Sequence, residues 1–92
     1  LYEAIRNGDL ETLKSILSQT GEAYVDVNKI IMRSHNDCRL IHVAARFNQV
    51  PIMQYLYDNG GQLEILDRMD ATPMFYACSA GSLDATSFLA SN

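Results

Sequence analysis

The chain lacks any apolar run near the roughly 20 residues that a membrane span needs, and residues 25–32 are interrupted by Asp26, Asn28 and Lys29. No secretory signal is recognisable. Tryptophan is absent. Basic residues are few: seven Lys and Arg against eleven Asp and Glu leave a net charge of −4 and a pI near 4.9. That balance, without a Lys/Arg cluster, argues against nucleic acid or an anionic membrane as the partner. The two cysteines, Cys38 and Cys78, stand forty residues apart and form no CxxC pair, so free thiols in a reducing compartment are expected rather than a disulfide framework. No glycine-rich phosphate loop occurs, and the carboxylates are scattered without a paired geometry.

What the chain does contain is repetition. Ninety-two residues make one domain-sized piece, and a chain of this size buries only about 60% of its unfolded surface. Residues 39–67 read as two short helices with a hairpin-like tail, and similar text lies on either side. Ile41, Ala44 and Ala45 share one face of a first helix, the alanines allowing a neighbouring helix close approach. Asn48 falls where the chain must turn back and tolerates the left-handed conformation. Pro51 opens a second helix whose apolar side is Ile52, Met53, Tyr55, Leu56 and Tyr57, and Gly60-Gly61 ends it. A unit this small cannot close its own core and must stack on its copies.

The copies can be aligned. Leu1, Ala4 and Ile5 match Ile41, Ala44 and Ala45; Asn7-Gly8 is the turn, and Asp9 caps a second helix carrying Leu10, Leu13, Ile16 and Leu17. In the third copy Thr72-Pro73 opens a helix with Met74, Ala77 and Cys78 on the core face. Gly81-Ser82 turns the chain, and Leu83, Ala85, Thr86, Phe88 and Leu89 follow. Ile41 to Met74 and Ala44 to Ala77 are thirty-three residues; Leu1 to Ile41 is forty. The extra seven are placed as about four between 18 and 24 and about three near 30–33, the latter lengthening a finger.

With Thr72-Pro73-Met74, Ala77 and Gly81, Leu40-Ile41-His42 with Ala44-Ala45, Ala4 with Gly8-Asp9-Leu10-Glu11, and Val25-Asp26-Val27-Asn28, the chain resembles the ankyrin-repeat family over nearly its whole length. The resemblance implies an all-α repeat solenoid of about 2.5–3 helix-turn-helix units joined by β-hairpin fingers, the units falling at about 1–33, 34–66 and 67–92. Helix-opening Thr-Pro survives only at 72 and 73, and the family's backbone-bonding histidine only as His42, with Tyr2 and Phe75 in the matching places. The first two units are therefore expected to have less well fixed helix starts. Leu1 already stands inside a helical pattern and the third unit stops at Asn92, so a fragment of a longer array is expected.

The resemblance also implies a function, non-catalytic protein–protein interaction through hairpin tips and a concave groove, inside the cell, in cytoplasm or nucleus. The matching positions are Arg6 and Asn7, then His35, Asn36, Cys38, Arg46 and Phe47, then Arg68, Met69, Ala71, Ser79 and Ala80. Arg6 and Arg46 occupy equivalent places and are expected to stack along the groove. Arg6, Arg33, Arg39, Arg46 and Arg68 lie in fingers or first helices, whereas Asp9, Glu11, Asp58 and Asp84 lie on second helices. A locally basic groove favours a partner with acidic or phosphorylated groups, and Phe47 is the expected aromatic anchor, beside the alternative that it folds down over Val43 or a loop. Asp37, Asp67 and Asp70 are the nearby carboxylates that would pair with the arginines and leave the surface nearly neutral. Other readings are a regulatory or targeting arm of a larger enzyme or channel, self-association through unfinished repeat ends, and a zinc or nucleophile site using Cys38 and His42 near His35 and Asp37. The last lacks a second ligand cluster or an oxyanion hole, and Cys78 is expected to be a small buried hydrophobe. No cofactor and no metal are expected.

Overall fold

A computed structural model describes residues 2–18, 28 and 36–92. The inserted residues at 19–24 and 30–33, the Val25-Asp26-Val27 strip, Leu1, Arg33 and the candidate His35 lie outside that set. Among the described residues six helices follow in pairs: α1 (Tyr2–Arg6) with α2 (Leu10–Ser18), α3 (Leu40–Arg46) with α4 (Val50–Asp58), and α5 (Pro73–Ala80) with α6 (Leu83–Ser91). None of these helices is long and apolar enough to cross a membrane. The chain folds as an all-α repeat solenoid, with α3 packed between α1 and α5.

Local chemistry sets the helix limits. Asp9 accepts the Thr12 backbone N–H at 3.1 Å and the Thr12 hydroxyl at 2.6 Å, capping α2. Thr72 Oγ1 accepts the Phe75 N–H at 3.2 Å at the start of α5, just ahead of Pro73. The turn after each first helix needs a left-handed residue, and Gly8 (φ 72°), Asn48 (φ 59°) and Gly81 (φ 71°) supply it in turn. Gly61 answers a different demand: a Cβ there would lie 2.6 Å from the Leu56 carbonyl oxygen.

The start of α3 departs from expectation. Arg39 offers no side-chain cap, yet its guanidinium donates to the carbonyls of Asn28 at 2.8 Å and Asp37 at 2.7 Å, and its backbone N–H donates to His42 Nδ1 at 2.9 Å. The finger base is thus stitched to the helix by another route.

Stacking places small residues between units: Ala4, Ala44 and Ala77 are all buried, among Ile5, Leu13, Leu40, Ile52, Met53 and Leu56. Matched bonds join successive units. Gln49 Nε2 donates to the carbonyl of Arg6, which closes α1, at 3.1 Å, and Ser82 Oγ repeats the contact on the carbonyl of Arg46 at 2.9 Å. Asn48 Oδ1 accepts the Ala85 N–H at 2.8 Å, pinning the middle turn to α6. Asn28 donates to the Gly60 carbonyl at 2.9 Å and accepts the Gln62 N–H at 2.8 Å.

Two core assignments are overturned. Cys78, expected to be buried like Ala45, is exposed. Tyr57 leaves the apolar side of α4 and lies on the surface, its ring edge-on to Phe88.

Candidate functional site

His42 organises the finger side of the molecule. It is fully buried. Because Nδ1 accepts from the Arg39 backbone, the ring proton sits on Nε2 and is donated to the Ala71 carbonyl at 3.0 Å, in the next unit's finger. Burial holds the His42 pKa below its ordinary value, with the Ala71 bond opposing that shift. Tyr76 packs over the ring with centroids 4.8 Å apart.

Asp67 holds the third finger. Its Oδ1 accepts the N–H groups of Met69 at 2.8 Å and Ala71 at 2.9 Å, and its Oδ2 accepts the Tyr76 hydroxyl. Burial pushes the Asp67 carboxyl upward, but these donors together outweigh it and leave the pKa lowered. Tyr76 is raised by burial and by its bond to Asp67. The two residues are a fixed wall rather than free ionisable groups.

Against this wall lies a cleft of about 440 Å³, lined by Asn36, Arg46, Asp67, Met69, Ala71, Phe75, Tyr76, Ser79 and Ala80. Met69 is 71% exposed and Phe75 61% exposed, while the polar Asn36, Arg46 and Ser79 share the lining. Among the described residues no carboxylate pairs with Arg46; its guanidinium lies 5.5 Å from the Phe47 ring centroid. The cleft combines exposed apolar side chains with one cation, Arg46, and the hydrogen-bonded Asp67 carboxylate in its wall.

Of the expected recognition residues, Asn36, Arg46, Met69, Ala71, Ser79 and Ala80 come together here. Arg6, Asn7, Phe47 and Arg68 do not line it. Arg6 is exposed and 3.8 Å from Glu3, Asn7 is exposed beside the first turn, and Arg68 reaches Asn36 Oδ1 at 3.3 Å. Phe47 is half-buried and stands edge-on to Tyr2, centroids 5.8 Å apart, so its ring bridges the first two units instead of standing free. Among the described residues neither Asp67 nor Asp37 forms an ion pair with an arginine: the Asp67 carboxylate is taken by Tyr76, Met69 and Ala71, and Asp37 serves Arg39 through its backbone carbonyl. Among the described residues, Arg46 is the cation that lines this cleft.

Cys38 needs correction. Its side chain is 1% exposed, so it cannot meet a partner at the surface, and burial, followed by the Asp67 charge, raises its thiol pKa. The Cys38–His42 catalytic or zinc reading fails with it, since both His42 nitrogens are engaged by backbone groups and the thiol is held protonated. Phe75 was missed as a site residue. It lies thirty-three residues after His42, and the repeat period alone assigns it to a buried slot.

A family model described as ankyrin repeats in three copies matches residues 1–92. Comparison with curated proteins gives no match. Among solved structures, the crystal structure of the human ASB11 ankyrin repeat domain is 29% identical and superposes with a TM-score of 0.77 over 98% of this chain. This chain spans 38% of that one.

Proposed function

The chain belongs to the ankyrin-repeat family, whose repeats are protein–protein interaction modules, and on that premise we propose that its partner surface is the cleft between the third finger and the ends of α3 and α5. The partner presents an extended segment with an acidic or phosphorylated residue beside a large apolar one. The apolar side chain enters between Met69 and Phe75, the anion meets Arg46 in a fork of two hydrogen bonds, and Asn36 and Ser79 serve the segment's polar groups. No bond of the partner is broken in this reading; the module binds and orients.

The observation that carries it is the combination of two strongly exposed apolar side chains, Met69 and Phe75, with an arginine that forms no ion pair with a described carboxylate. Isolated exposed apolar residues are ordinary, but aromatic and arginine side chains sharing one concavity make the usual composition of an interface hot spot. The test is selection from a displayed library of random peptides, followed by affinity measurement on the winner. The expected winner carries Asp, Glu or phosphate next to an apolar residue, and Arg46→Glu weakens it by about tenfold or more, with a binding constant that falls as salt rises. Selection of uncharged peptides, or an unchanged affinity after Arg46→Glu, removes the proposal.

A further inference from the structure

The slot that Arg46 fills has a counterpart one unit earlier. Arg6 closes α1 as Arg46 closes α3, following the buried Ile5 as Arg46 follows the buried Ala45. The two backbones are held alike: the Arg6 carbonyl accepts from Gln49 Nε2 at 3.1 Å, and the Arg46 carbonyl accepts from Ser82 Oγ at 2.9 Å. Both arginines are exposed. This exposure belongs to the slot itself, because Arg46 has it although α3 is packed between α1 and α5.

An aromatic floor joins the two cations. The Arg46 guanidinium lies over the Phe47 ring, 5.5 Å from its centroid. Phe47 meets Tyr2 edge-on, centroids 5.8 Å apart at 86°, and Tyr2 stands four residues before Arg6 on the same side of α1. Arg6, Tyr2, Phe47 and Arg46 thus form one path across the α1–α3 junction. Glu3 lies 3.8 Å from Arg6 with both side chains more than half exposed. A pair so solvated is weak and yields to a competing anion.

Spacing selects the conformation of the ligand. Packed helices run about 8–10 Å apart, so equivalent arginines on α1 and α3 are separated by roughly that distance. Along a β-strand, side chains on one face recur at about 6.6 Å and then about 13 Å, one too short and the other too long. A polyproline II helix brings residues i and i+3 to the same side with about 9.3 Å between them.

On the premise that the cleft at Arg46 binds an acidic segment, we infer that the segment continues across α3 and α1 as a polyproline II helix and sets a second anionic side chain, three residues from the first, against Arg6. The two intervening residues lie over the rings of Phe47 and Tyr2. The module then recognises two acids at a fixed interval in place of one acid alone.

The probes are capped peptides, Leu-Glu-Pro-Pro-Glu and the same residues in reversed order. Each is compared with a form carrying Gln for the Glu farther from Leu, and with forms carrying one or four prolines between the acids. Binding to the intact chain is followed by NMR titration. In the better-binding direction the second Glu is expected to improve affinity about fivefold and to shift the amides of Tyr2 and Arg6. The gain should vanish with one or four prolines, and in Arg6→Gln, which should bind the single-acid peptide as the parent does. A single-acid peptide that binds and is weakened by Arg46→Glu, yet gains nothing from the second Glu, overturns the inference and leaves the cleft standing. A gain that persists in Arg6→Gln, ignores the interval or leaves the Tyr2 and Arg6 amides unmoved overturns it as well. Indifference of every peptide to Arg46→Glu removes the cleft and the inference together.

Discussion

The second and third units place different residues in the same slots, and their fates diverge. His42 is fully buried beneath the third finger, whereas Phe75, its counterpart thirty-three residues on, is 61% exposed and lines the cleft. Ala45 is buried and its counterpart Cys78 is exposed. The backbone is repeated, but burial is granted by the next unit in the stack. A repeat position is thus a core position where a neighbouring unit stacks upon it.

The largest effect that would sharpen this contrast is on stability. His42→Ala should cost about 3 kcal/mol, since it removes a buried ring and strands the Arg39 N–H and the Ala71 carbonyl. Phe75→Ala should cost under about 1 kcal/mol, as expected of a surface position. Urea unfolding of both variants checks this, and equal losses would break the comparison.

Acid should separate two supports of the third finger. His42 has a folded pKa lowered from 6.5, so the unfolded chain takes the proton first and stability declines as pH falls below 6.5. Asp67 is lowered from 3.8; its contribution is complete above that pH and lost only below it. Chemical unfolding across pH should therefore show a first decline that His42→Gln reduces and a second, more acidic one that Asp67→Asn reduces. A first decline unaltered by His42→Gln would dissociate it from the buried ring.

The smallest perturbation is a thiol titration. In native buffer a disulfide reagent should modify Cys78 rapidly and Cys38 only on unfolding, because Cys38 is buried with a raised pKa. Two fast thiols would contradict the described finger packing.

These contrasts mark how far residues alone lead. The paired helices, the turns at Gly8, Asn48 and Gly81, the stacking alanines and the structural histidine were legible because each depends on local conformation or on the repeat period. Of the residues expected at a partner surface, Asn36, Arg46, Met69, Ala71, Ser79 and Ala80 line one cleft, the candidate site. Cys78 was misplaced and Phe75 overlooked because their exposure depends on a neighbouring unit, which the period cannot report; Phe47, left open between anchor and folded-down ring, packs on Tyr2. Arg39 was misjudged because its side chain turned inward to carbonyls of Asn28 and Asp37, a long-range choice that no local pattern encodes.

The most direct measurement pairs affinity with stability for Phe75→Ala, using the acidic peptide selected on the cleft. If Phe75 belongs to a recognition surface, the affinity falls about tenfold while the unfolding midpoint stays within experimental spread of the parent. An unchanged affinity, or a midpoint that drops as far as that of His42→Ala, would show that Phe75 serves the stack and not the partner.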